Sequence, residues 1–156
     1  MLDSSGPVPT QTTRAQQVLS PPGLVGSGTV WHRCVQQVDS RYRAGDWMAL
    51  EGEPGTGKRS LLRAIHRLHN PSGHFRVMLP PIAEYFDTPT ALRSVCPRTV
   101  DVPPLRHHID DLAQLVPHLL EQIPNGGRLT CSPAALAQLS RLNWPGNVAQ
   151  LRGVLL

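Results

Sequence analysis

One stretch constrains this chain more than any other: Gly52-Glu53-Pro54-Gly55-Thr56-Gly57-Lys58. It matches the pattern G-x-x-x-x-G-K. A short apolar run, WMAL at 47–50, precedes it, and Leu61, Leu62, Ile65 and Leu68 follow at helical spacing. Run length and the Gly/Pro boundary predict a buried strand, then a loop, then a helix. That context gives each motif residue a chemical reason. Glycines let backbone N–H groups converge on phosphate oxygens. The helix N-terminus adds partial positive charge. Lys58 offers a flexible cation to the outer phosphates. Gly52, Glu53, Pro54, Gly55, Thr56, Gly57 and Lys58, with the adjoining Arg59 and Ser60, are therefore the candidate nucleotide-binding residues, and ATP is the expected cofactor. Arg59 stands where the motif usually has the Ser or Thr that holds Mg²⁺. Ser60 comes one residue late, about a third of a helical turn away. The pattern leaves a magnesium site open. A glycine-rich turn without a ligand is the alternative reading.

The rest of the chain organises around that loop. Residues 1–22 are rich in Ser, Thr, Pro and Gln, lack an apolar period, and are expected to be disordered. Val30, Trp31, Cys34, Val35, Val38 and Tyr42 recur at helical spacing, predicting a helix over 29–43 that Gly45 ends. The helix after the loop should stop at Asn70, ahead of Pro71. Residues 75–79 and 99–102 read as further strands, each closed by a Pro-Pro pair. Beyond them the pattern is helical. Ile109, Leu112, Leu115, Val116, Leu119 and Leu120 form a stripe that Pro117 should kink or break into short turns. Ser132-Pro133 reads as a cap with proline at the first helical position. Asn147 is expected to cap a last helix. The implied layout is a core over 23–102 and a helical lid over 103–156.

Composition excludes several classes. At 156 residues the chain suits one domain. No apolar run approaches the ~20 residues that span a bilayer, and the N-terminus lacks a signal-peptide core. The cysteines, Cys34, Cys96 and Cys131, are distant and form no CxxC, which fits a reducing, cytoplasmic setting. A net charge of +4, without clustered Lys and Arg, does not argue for nucleic-acid binding.

Four segments resemble the AAA+ domain of bacterial sigma-54-dependent transcription activators. They are Leu24-Val25-Gly26-Ser27, the phosphate loop, Val102-Pro103-Pro104-Leu105-Arg106 through Ile109-Asp110-Asp111-Leu112, and Asn143-Trp144-Pro145-Gly146-Asn147-Val148. The resemblance implies an α/β P-loop NTPase fold, AAA+-like, with a helical lid, adenine-nucleotide binding and a role in transcription regulation. It also implies assembly as an AAA+ homo- or hetero-oligomer.

Departures from the family pattern sharpen these expectations. No apolar strand ending in Asp-Glu occurs, nor the GAFTGA-type loop that touches sigma factor, so sigma contact is doubtful. Only 44 residues separate Lys58 from Pro103, which predicts a shortened parallel sheet. Without the Asp-Glu pair, nothing orients the attacking water, and phosphoryl transfer depends on such positioning. Nucleotide binding without efficient hydrolysis is therefore expected. The family's nucleotide-sensing arginine falls at Ala149; Arg152, one turn on, is the substitute candidate. Arg93 or Arg98 lies near the position of the arginine finger. No helix-turn-helix segment lies within these residues, so they are not expected to bind DNA directly. The alternative is a non-enzymatic interaction module whose phosphate loop is vestigial. A small P-loop kinase or an internally deleted fragment are more distant readings.

Other residues read as structural. His66 and His69 are more readily exposed helix-face histidines than metal ligands. His107 and His108 suit a solvated turn. Asp110 and Asp111 suit the start of a helix, where negative charge meets the helix dipole. Trp31 and Trp47 are expected in the core, and Trp144 in a packed turn.

Overall fold

The computed structural model describes residues 21–75, 98–123 and 129–155. The expected disordered lead-in, apart from Pro21 and Pro22, lies outside them. So does the expected strand at 75–79, apart from Phe75, which belongs to no helix or strand.

Helix α1 spans Thr29–Arg43 and buries Trp31, Cys34, Val35 and Val38, one stripe at i, i+3, i+4 and i+7. It ends in a hydrogen-bonded C-terminal motif. The amide of Gly45 donates to Tyr42 and that of Asp46 to Arg41. Gly45 takes φ +72°, the left-handed conformation this ending requires. Strand β1, Met48–Glu51, follows directly. Trp47 just outside it is 76% exposed, which corrects its expected core role. It falls between the helix ending and the strand, before the sheet begins to cover side chains.

Helix α2, Lys58–His69, buries Leu61, Ala64 and Ile65. Asn70 leaves the helix with φ −142°, as a residue before proline should. Strand β2, Arg98–Asp101, pairs parallel with β1, Leu50 opposite Val100 and Glu51 opposite Asp101. The phosphate-loop strand and the strand leading to the lid are thus immediate neighbours. Among the described residues these two strands make the whole sheet. Trp31, Val35, Val38, Leu61, Ile65, Val100 and Val102 close the first core. Fully burying one such aliphatic side chain contributes about 1.5–3 kcal/mol.

Two 3₁₀ turns, Leu105–His107 and Ile109–Asp111, lead into helix α3, Leu112–Glu121. Pro117 sits inside α3, which runs on as one helix instead of breaking. The buried residues on either side, Leu115, Val116, Leu119 and Leu120, hold it against the second core. Helix α4, Pro133–Leu139, is capped as expected, the Ser132 hydroxyl accepting from the Ala135 amide at 3.2 Å. Helix α5, Asn147–Leu155, inserts Leu151 into the same core. Trp144 is buried in the turn before α5 and donates its indole N–H to the Leu139 carbonyl at 3.0 Å.

The opening segment joins the two cores. Leu24 packs on the first and Val25 on the second. Asp111 clamps the junction: one carboxylate oxygen accepts the amides of Ser27 and Gly28, each at 2.7 Å, and the other meets His108 Nδ1 at 2.9 Å. Asp111 is 1% exposed and His108 is 8% exposed, stacked on Trp31. His108 is therefore not a solvated residue, whereas His107 is exposed. Asp111 holds the two residues that lead into α1 and makes no side-chain capping bond to its own helix. Periodicity cannot show this, because the two partners are more than eighty residues apart.

Candidate functional site

Between β1 and α2 the loop runs through three left-handed glycines, Gly52 at φ +137°, Gly55 at +78° and Gly57 at +87°. Gly57 is the residue before α2, and a Cβ added there would meet nothing within 4 Å. The space above the helix N-terminus is open to an anion. Lys58 Nζ donates to the carbonyls of Gly52 at 2.8 Å and Glu53 at 2.7 Å, and reaches Thr56 Oγ1 at 3.5 Å. The Thr56 hydroxyl donates to Glu53 at 3.0 Å and is itself buried. Partial burial lowers the Lys58 pKa from its ordinary value. The donor set (open helix N-terminus, left-handed glycines, a loop-held ammonium) fits a polyphosphate. Arg59 and Ser60 are exposed on the first turn of α2.

The lid sits directly on this loop. The Ala149 amide donates to the Gly55 carbonyl at 3.2 Å. A Cβ on Gly55 would collide with the Gly146 carbonyl and crowd Ala149. Gly55→Ala is therefore expected to separate lid from loop and to cost about 1–2 kcal/mol from left-handed strain alone. A urea melt of the variant with unchanged midpoint would refute that.

Asn147 has a role other than the helix capping expected of it. It is fully buried at φ +53° and is the first residue of α5. Its side chain does not cap that helix. Oδ1 accepts the Leu105 amide at 2.8 Å, while Nδ2 donates to the Pro54 carbonyl at 2.9 Å and to Glu53 Oε2 at 3.1 Å. Glu53 in turn takes the Arg106 guanidinium in a two-pronged pair, one contact at 2.8 Å. The Arg106 bond, then the Asn147 bond, hold the Glu53 carboxyl down at a pKa of about 2. Arg152 is exposed one turn beyond Ala149, so the residue that meets the loop is Ala149 itself.

A cleft of about 460 Å³ opens between α1 and the turn after β2, beside Arg33, Cys34, Pro104 and Arg106. It touches the loop only at Gly52 and Glu53, away from Gly55, Gly57 and Lys58. Burial, then Asp101, pushes the Cys34 thiol up to about 11, so it is no nucleophile at neutral pH. His66 and His69 are engaged with α1 and the turn after α2. His66 meets the Tyr42 hydroxyl at 2.8 Å and the Gly73 carbonyl at 3.2 Å, and His69 pairs with Asp39. No group of three or more candidate metal ligands occurs among the described residues.

Residues 106–156 match the family model of the AAA+ ATPase lid domain. The propane 2-monooxygenase operon transcriptional activator MimR of Mycolicibacterium smegmatis is 29% identical over 192 residues, covering 86% of this chain and 33% of that protein. The Nif-specific regulatory protein of Enterobacter agglomerans is 40% identical over 58 residues, 36% of this chain and 11% of that one.

The chain has a shortened AAA+-like fold and is similar to transcription activators of the sigma-54 type. The crystal structure of NtrX from Brucella abortus in complex with ATP shares its fold, with a TM-score of 0.65 and 18% identity over 85% of this chain and 51% of that one. The chain spans about a third of the length of the first curated relative it matches. The shortening is visible in that alignment. The covered 86% of 156 residues is about 134 residues, so about 58 of the 192 aligned positions face no residue of this chain. Among the described residues no helix is long and apolar enough to cross a membrane.

Proposed function

We propose that this AAA+ domain binds an adenine nucleotide through Gly52, Glu53, Pro54, Gly55, Thr56, Gly57, Lys58, Arg59 and Ser60, without efficient hydrolysis, as part of a cytoplasmic transcription regulator. One observation carries the reading: Lys58 is held over the loop by three oxygens, directly beside the open N-terminus of α2. An arriving phosphate offers Nζ stronger, charged acceptors than those carbonyls. Slow hydrolysis is supported by the chain's lack of an Asp-Glu pair after an apolar strand. Arg152 is proposed to reach the nucleotide only if α5 turns, since Ala149 occupies the nearest position. Assembly with further AAA+ subunits is proposed as its oligomeric setting.

Lys58→Ala is expected to weaken nucleotide binding about ten- to a hundredfold, the usual worth of a charge-assisted hydrogen bond. Equilibrium titration with a fluorescent ADP analogue measures this. Equal affinities in wild type and variant would sink the proposal. Arg59 at the hydroxyl position and Ala149 at the sensing position favour a second reading, an interaction module with a vestigial loop. Mixed oligomers with related AAA+ proteins, forming equally well with and without nucleotide, would favour it.

A further inference from the structure

We propose that Glu53, Arg106 and Asn147 are positioning residues that lock the lid onto the phosphate loop and tie lid position to loop occupancy. The coupling half of this rests on the nucleotide-binding reading; the lock itself does not. Glu53 occupies a variable position of the motif, so the loop does not need its side chain to hold phosphate. Its carboxylate turns to the lid, where both oxygens are used, one prong of Arg106 on each and Asn147 Nδ2 on Oε2. The Asn147 amide also binds Pro54 and Leu105, and the Ala149 amide binds Gly55. Three successive loop residues are thus bonded to the lid. A loop that adjusts around phosphates must move these partners, and by linkage whatever fixes the partners stiffens the loop.

The charges make the lock specific. Glu53 places a negative charge beside a loop meant for anions, and Arg106 neutralises it. Removing Arg106 leaves the carboxylate facing incoming phosphates. Removing Glu53 takes away both the lock and the repulsion. The two variants should therefore behave alike for lid motion and differently for nucleotide.

Amide hydrogen exchange on the full chain without nucleotide tests the lock. Glu53→Gln and Arg106→Ala should each speed exchange at the Leu105 and Ala149 amides about three- to tenfold, with little further gain in the double variant. Wild-type protection at these amides should fall with added salt, and that of Arg106→Ala should not. Unchanged exchange in both single variants overturns the lock. Titration with a fluorescent ADP analogue tests the coupling. Arg106→Ala should bind about three- to tenfold more weakly, and adding Glu53→Gln should restore most of the loss. A double variant as weak as Arg106→Ala overturns the coupling. If wild type binds no nucleotide, the functional reading fails, and the exchange result still decides the lock.

Discussion

Asp111→Ala is expected to destabilise the protein by about 2–4 kcal/mol, enough to lower the urea midpoint strongly at unchanged slope. The carboxylate is 1% exposed and accepts two backbone amides at 2.7 Å. Those amides, of Ser27 and Gly28, lie just ahead of α1, whose N-terminus has no side-chain capping bond. Alanine would leave both donors and His108 Nδ1 without their acceptor, and a donor stranded away from water costs about 1–3 kcal/mol. Gly26 and Gly28 approach the carboxylate so closely that an added Cβ at either would touch it. Asp111→Asn retains one acceptor oxygen and should lose roughly half as much. A loss below about 1 kcal/mol for Asp111→Ala would show that the opening segment does not depend on this clamp.

Asn147→Ala is expected to cost about 3–5 kcal/mol, from three lost side-chain bonds and a left-handed backbone that alanine tolerates poorly. The Leu105 amide would remain buried without its partner. The two causes can be separated. Asn147→Gly loses the same bonds but accepts φ +53° without strain, so it should be about 1–2 kcal/mol more stable than Asn147→Ala. Chemical denaturation of the three proteins measures both differences. Equal stabilities for the Gly and Ala variants would mean that the backbone relaxes once the bonds are gone.

Local order was largely legible in the residues. The stripe of α1 occupies the expected span, and the Ser132-Pro133 cap forms as read. Of the three expected strands, the two that fall within the described residues lie within one residue of expectation, because short apolar runs bounded by Gly or Pro have few other uses. The loop's three left-handed glycines follow from the motif alone. Pro117 did not break α3, because burial on both sides of it outweighs one missing backbone bond. Trp47 is exposed instead of in the core, since an aromatic residue beside a strand can lie past the edge of what the sheet covers.

Sequence by itself determined the strand–loop–helix unit and the helical segments that follow it; the lid and the place where the chain is short came from its resemblance to the AAA+ family. The local elements depend on neighbours within a turn or two, where spacing alone decides which groups meet. Only the tertiary structure decided that β1 and β2 lie side by side, that Asp111 holds α1, and that Asn147, Glu53 and Arg106 join the lid to the loop. These contacts cross from 50 to 94 residues of chain. A lone Asp, Asn or Glu carries no mark of a partner so distant; the partner is set by how the two cores pack.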